Sequence, residues 1–290
     1  MSMKAGRRYC CGIATGVLLA GAAAISPVRA DDFAGDVPDL VWIDVGGAVN
    51  EASTDVSLRG PNGVGVAINF EDVFDLPGTK TTARMLGFVR ISPKRRYLDF
   101  GYVDIGRSAT RVLDRDVVWG DYTYHAGGEV RTRFATQFMY VAFRYDFLHE
   151  EKIRISGSAG LTAIRLVASV NGESGFVDDA NGDPVTSGFE RKGSVTAPVP
   201  MVGLNLDWAL TKRLVLRTYT RFFRLNLSSF NGGLNENGIR LNWYFVRHFG
   251  LGLGYDRSNL NVKELKVGNG NIVKASYDVT GIGLYANLAF

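Results

Sequence analysis

Apolar and polar residues alternate with a period of two along most of the chain beyond residue 40. At the C-terminus Ile282, Leu284, Ala286, Leu288 and Phe290 are apolar, whereas the interleaved Gly281, Gly283, Tyr285 and Asn287 are small or polar. Successive side chains of a strand point to opposite faces, so this pattern is a strand with one apolar face that runs to the last residue. The alternation recurs upstream. Val41, Ile43 and Val45 alternate with Trp42, Asp44 and Gly46; Met85, Val89 and Ile91 oppose Arg84 and Arg90; Leu98, Phe100 and Tyr102 oppose Asp99, Gly101 and, further on, Arg107. Met139, Val141, Phe143, Tyr145 and Phe147 form an apolar face against Ala142, Arg144 and Asp146. Ile153, Ile155, Ala159 and Leu161 oppose Arg154, Ser156, Ser158 and Thr162, and Val202, Leu204, Leu206, Trp208 and Leu210 oppose Gly203, Asn205 and Asp207. Ile239, Leu241, Trp243 and Phe245 oppose Arg240, Asn242 and Tyr244, and Leu251, Leu253 and Tyr255 oppose Gly252, Gly254, Asp256 and Ser258.

The pattern predicts ten strands, with eight or twelve as the alternatives. They begin with 40–58 and 81–92, continue with one starting at Tyr97 and one ending at Phe147, and run through 153–162, 202–210, 214–229, 239–245 and 251–258 to the closing strand. The connections after the second, fourth, sixth and eighth strands are tight, as at Pro93-Lys94-Arg95, His149–Lys152 and Thr211–Arg213. Those after the first (about 60–80) and fifth (about 172–192) are long. A bilayer accepts only helices or closed barrels, because every backbone donor and acceptor must be paired. Short turns on one side against longer loops on the other are the outer-membrane pattern. The expected fold is therefore all-β, a transmembrane antiparallel up-and-down barrel over 40–290. A soluble sandwich would instead bury these apolar faces in a core.

The N-terminus carries an export signal in its sequence. Lys4, Arg7 and Arg8 precede an uncharged apolar run from Tyr9 to Ile25, and Val28-Arg29-Ala30 fits a small-residue cleavage rule. The run of about 17 residues is at the bottom of the range for a spanning helix. Residues 1–30 are expected to be a cleaved signal peptide, with 31–39 a short periplasmic segment. Its removal changes the charge: four basic residues and no acidic one leave with it, so 33 against 29 becomes 29 against 29. A neutral mature chain gives no argument for nucleic acid. Cys10 and Cys11 leave too, which excludes disulfides and thiol catalysis from the mature protein.

The closing strand, ending in Tyr285-Ala286-Asn287-Leu288-Ala289-Phe290, resembles that of bacterial outer-membrane β-barrels. The resemblance implies that Phe290 is an assembly signal read by the barrel-assembly machinery. Phe88–Ser92, Tyr145–Phe147 and the acidic-aromatic segment Ile68–Pro77 are similar to small, largely uncharacterised Gram-negative barrels of the general OmpA- and OmpW-like, porin-type group. That resemblance brings no activity with it. It implies an outer-membrane location, with outer-membrane lipid and lipopolysaccharide as surroundings and an external ligand or surface partner left open. Physically, Ile68–Pro77 is expected to form one helical turn over the barrel mouth.

Arginine is the notable inward residue. Arg84, Arg90, Arg107, Arg144, Arg154, Arg217, Arg221 and Arg240 have the non-lipid parity of their strands, as do Asp44, Asp99, Asp146, Asp207 and Asp256. An arginine facing lipid at mid-bilayer costs about 2–4 kcal/mol, so these side chains should point inward. They are expected to fill the lumen as a salt-bridge network, with Asp99 the chosen partner of Arg144; an anion-biased constriction is the alternative. Catalysis has little to work with. His125, His149 and His248 are the only histidines, and His125 lies four residues after Asp121. Ten-stranded outer-membrane proteases use Asp and His at the external rim, but their active-site pairs are not recognisable here. No serine has a histidine partner in a hydrolase motif. Gly250-Leu251-Gly252-Leu253-Gly254 sits within an alternating strand and reads as close packing rather than a nucleotide loop. No metal spacing or cofactor motif is present. The expected protein is non-enzymatic, structural or surface-interacting, with a rim protease or lipid-modifying enzyme as the remaining alternative.

Overall fold

The structure is a computed structural model that describes residues 38–59, 65–119, 122–173, 176–179, 182–184, 189–226, 230–267 and 271–290. The signal-peptide segment and its cleavage site lie outside the described residues, as do Asp121 and the end expected for the seventh strand. Ten long strands form the barrel: β1 (Val41–Arg59), β2 (Thr79–Ser92), β3 (Arg96–Val112), β4 (Glu129–His149), β5 (Ile153–Gly172), β6 (Phe189–Thr211), β7 (Leu214–Asn226), β8 (Phe230–Val246), β9 (Phe249–Val267) and β10 (Asn271–Ala289). Each pairs antiparallel with its neighbours in sequence, and β10 returns to β1 in unbroken register from Trp42–Ala289 to Arg59–Ile272. Closure leaves no free sheet edge. The strands match the expected elements, but several extend further, and β6 begins at Phe189 rather than near Val202.

Two-residue and three-residue turns join β2 to β3, β4 to β5, β6 to β7 and β8 to β9. Arg95 closes the first with φ 59°. The opposite end carries the long connections. After β1, a short strand Gly65–Asn69 pairs back on β1 and leads into α1 (Phe70–Phe74). Between β3 and β4, Val117–Trp119 and Tyr122–Tyr124 form a hairpin, to which Val177–Asp178 from the β5–β6 connection adds a third strand.

The outer surface divides into two zones. Ile239, Tyr255, Ile282 and Val49 lie side by side across β8, β9, β10 and β1, and all four are exposed. Two residues further toward the long-loop end the row reads Asn237, Arg257, Thr280 and Glu51. Across β2–β5 the last apolar row is Met85, Tyr102, Met139 and Ala163. The next row is Asp104, Gln137, Arg165 and Thr196. On β10 the apolar face runs from Ile282 to Phe290. Nine residues at about 3.3 Å each, tilted by about 40°, rise roughly 20 Å, close to the apolar band of membrane barrels.

Inside, the polarity is the reverse. Below the boundary the inward side chains are charges interleaved with a smaller apolar and aromatic cluster that includes Trp42, Phe88, Tyr97 and Tyr140. Above it they form an apolar core that includes Ile105, Val130, Phe134, Phe138, Ile164, Phe223, Leu234, Leu260 and Tyr277. Where the barrel stands beyond the apolar band, water wets its outside and the hydrophobic effect fills its inside, as in a soluble barrel.

Candidate functional site

Alternation sends one side chain in two toward the axis, and the sequence places an acid or an arginine at many of these positions. The structure buries Arg84, Asp99, Arg107, Arg144, Asp146, Arg154, Asp207, Arg217, Arg221, Arg240 and Asp256 inside the barrel, with Asp44 beside them. Two carboxylates organise the middle of the lumen. Asp256 accepts two 3.0 Å hydrogen bonds from Nη2 of Arg240, pairs with Arg84 at 2.9 Å and accepts a 2.6 Å bond from the Tyr219 hydroxyl. Asp207 lies 2.5 Å from Nη2 of Arg144 and 3.6 Å from Nη1 of Arg217. Arg217 also lies over the Trp42 ring, 4.1 Å from its centroid. Arg221 donates to the Tyr140 hydroxyl at 2.6 Å, and its guanidinium lies over the rings of Tyr140 and Tyr219. Charge pairing, stacking and multiple hydrogen bonds are what a buried ion needs to offset its lost hydration.

Two sequence expectations change here. Asp99 is not the main partner of Arg144: it stands 4.0 Å away, while Asp207 on β6 is at 2.5 Å. Long side chains cross a narrow lumen, so the adjacent strand does not supply the nearest charge. Arg90 has inward parity but sits at the tight-turn rim, 29% exposed and bound to Asp39. Asp39, which sequence reading overlooked, gathers that rim. It accepts from Tyr97 at 2.7 Å, pairs with Arg154 at 3.3 Å and has His149 at 3.9 Å. Burial works against its charge, but the Tyr97 hydrogen bond and the Arg154, Arg90 and His149 charges prevail and hold it below the usual carboxylate range. Its position before the first strand gave no alternation from which to read it.

The interior is tightly filled. The cavity lined by Trp42, Asp99, Arg144, Asp207, Arg217 and Arg221 measures about 30 Å³, room for about one water. Glycines on β9 make space for the network: a Cβ on Gly254 would lie 2.9 Å from the Tyr285 ring and 3.1 Å from Nε of Arg240. This is the packing role expected of Gly250–Gly254.

Above the charges, α1 closes the mouth as the expected helical turn. Asn69 caps it by accepting from the Asp72 amide at 2.9 Å. Phe70 and Phe74 are fully buried, and Phe70 packs on Phe134, which packs on Tyr277. Arg107 from β3 fastens the helix through Glu71 at 2.5 Å and also bonds Thr54. Arg111 donates to the Asp72 and Val73 carbonyls at the helix C-terminus. Glu71 escaped the sequence reading because its partner is distant in sequence.

His125 lies at the rim beyond the plug. Its Nδ1 is 3.2 Å from Asp116 and its Nε2 2.7 Å from Asp178, the carboxylates in contact with it among the described residues. Its hydrogen bonds to Asp178 and then to Asp116, with the carboxylates accepting, raise its pKa. A histidine with both nitrogens engaged by carboxylates favours the cation and has no free lone pair with which to activate water. It clasps the 113–128 and 173–188 connections, where a backbone bond from His125 to Phe176 adds support. Among the described residues no group of His, Cys, Asp and Glu is arranged to hold a metal.

At the other end Phe290 is 46% exposed, stacks on His248 at 4.3 Å and donates its amide to the Val41 carbonyl at 2.9 Å. Its carbonyl accepts from Leu40 at 2.7 Å.

No protein-family model and no curated protein sequence matches the chain. Solved structures do. The outer-membrane protease OmpT from Escherichia coli matches with a TM-score of 0.52 at 11% identity, over 88% of this chain and 98% of that one. The outer-membrane protein OprG from Pseudomonas aeruginosa matches at 0.33 and 9%, over 88% and 99%. Ail, the attachment invasion locus protein of Yersinia pestis, matches at 0.32 and 8%, over 85% and 99%. At 11% identity and a TM-score of 0.52 the likeness to OmpT is one of fold alone, that of an outer-membrane β-barrel.

Proposed function

We propose that the mature protein is an integral, non-enzymatic outer-membrane barrel with a closed lumen, which holds a rigid surface above the outer leaflet for contact with an external partner. The observation that carries this reading is the double seal. Side chains leave cavities of only about 30 Å³ each beside Arg217 and beside Arg84, and α1 with its aromatic neighbours packs into the long-connection end above them. Neither layer offers a path for a hydrated solute. The tight-turn end, with Asp39 and both termini of the barrel, faces the periplasm on this reading, and the long connections face outward. Residues 1–30 direct export and are removed, and Phe290 serves the assembly machinery. The clasped His125 favours a structural rim over a catalytic one.

Planar-bilayer recording of the purified mature protein tests the closed lumen. Little or no stable conductance is expected. A steady, large conductance would overturn the reading in favour of an anion-biased channel through the arginines. Peptide cleavage by the wild-type protein that is abolished in His125→Ala would promote a rim enzyme.

A further inference from the structure

The outer wall of β4 and β5 changes character within a few residues. Met139, Val141, Phe143, Tyr145 and Phe147 are exposed and apolar on β4, and Leu161 is so on β5. Beyond them on the same outward parity stand Arg165 in the first polar row and Arg133 and Arg131 higher up β4, all three exposed. Arg133 faces Ser108 and Ser169 across the neighbouring strands, and Arg131 faces Thr110 and Asn171. These neighbours carry no charge. Among the described residues the carboxylates on this face are Asp104, which accepts from Gln137 at 2.8 Å, and, at the top, Glu129 and Glu173, which line one depression with Arg131. Among the described residues none of the three arginines makes an ion pair or a side-chain hydrogen bond. The corresponding row on β8, β9, β10 and β1 reads Asn237, Arg257, Thr280 and Glu51, one cation with one carboxylate, whereas the β4–β5 wall gathers three cations.

We propose that this wall docks phosphate groups of the outer-leaflet glycolipid, whose acyl chains lie against the apolar residues directly below. Arg165 is level with the edge of the apolar band. Arg133 is four residues above Gln137, about 13 Å along a tilted strand, and a long side chain reaches back down from there. Arg131 stands two residues higher again, about 20 Å along the strand from Gln137, so the three guanidinium groups are staggered up the wall, and each can engage a headgroup phosphate through two parallel hydrogen bonds. A soluble polyanion would have no reason to seek arginines at the band edge. The proposal rests on the membrane reading above, because it uses the lipid boundary to place the headgroups.

The test uses the mature protein folded in bilayers of zwitterionic lipid, with heat-modifiability on gels as the measure of folded protein. Bisphosphorylated lipid A is expected to raise the melting midpoint and dephosphorylated lipid A to leave it unchanged. Arg131→Gln, Arg133→Gln and Arg165→Gln combined should weaken the bisphosphorylated lipid's apparent affinity by about a hundredfold, the scale of three interfacial cations. Arg257→Gln with Lys263→Gln, on β9, should leave it intact. The single variants give the same answer in smaller steps should the triple fail to fold. Equal stabilisation by both lipids, an unchanged triple variant, or a response to heparin with none to lipid A would each overturn the proposal. Failure of the wild-type protein to insert into bilayers would instead refute the membrane reading itself.

Discussion

The two halves of this barrel obey opposite rules. In the half with the tight turns, apolar side chains face outward while the charges, stacked among rings such as Trp42, Phe88 and Tyr140, face inward; in the half with the long connections, Asn, Arg and Thr face outward while phenylalanines and aliphatic residues fill most of the interior. The change occurs within single strands. On β4, Val130, Phe134 and Phe138 are buried inside, whereas Met139, Val141, Phe143, Tyr145 and Phe147 are exposed on the outer face. The difference teaches that parity alone does not say which face is apolar. The solvent outside decides, and the inside takes what remains. In lipid the arginines and aspartates are driven to the axis, where they must satisfy one another. In water the apolar side chains gather there, and a largely buried ion pair, Arg107 with Glu71, fastens the plug among them.

The sharpest way to break this contrast is to remove a charge in the lower half. Asp256→Ala leaves Arg84 and Arg240 buried without their shared carboxylate, and should cost about 3–5 kcal/mol. Equilibrium urea unfolding from bilayers measures it. A loss below about 1 kcal/mol would mean that the ions do not depend on one another. Double-mutant cycles should also show a larger coupling for Arg144 with Asp207 than with Asp99.

A change in the upper half should act locally. Phe74→Ala removes a fully buried ring from the plug, and should cost about 3 kcal/mol of local stability. Amide exchange over residues 65–78 should quicken, while the heat resistance of the barrel wall remains. Equal loss of protection on β9 and β10 would show that the two halves unfold as one.

The smallest effect is expected at the rim, from pH. The pKa of His125 is raised in the folded protein, chiefly by Asp178 and then Asp116. The stabilisation it brings is therefore complete below its unfolded value of about 6.5, and is lost as pH rises through the higher folded value. Residues 122–128 and 176–179 should exchange more slowly, after correction for intrinsic rates, at about pH 5.5 than in mildly alkaline buffer. His125→Gln should erase the difference. A pH dependence that survives this substitution would assign it to another group.

Much of the fold was legible because lipid imposes strict alternation over the lower strands. The ten strands, the tight turns and the inward parity of Arg144, Asp207, Arg240 and Asp256 all follow from it. The plug helix was legible too, since Asn69 before Phe70-Glu71-Asp72 is a capping sequence. The apolar upper core was not read, although a signal exists: the apolar phase of β4 slips by one between Phe138 and Met139. That slip marks where lipid gives way to water.

By itself the sequence determined the class of barrel and, in the lipid-facing half, the face taken by the charged residues, because alternation and solvent preference are local properties of a strand. Only the tertiary structure decided who meets whom. Arg144 finds Asp207 across 63 positions, Arg107 finds Glu71 across 36, and Asp39 reaches Arg154 over 115. Those pairings depend on how far the closed sheet is sheared and how narrow its lumen is. Both are fixed only when β10 pairs with β1, and no single strand carries that information.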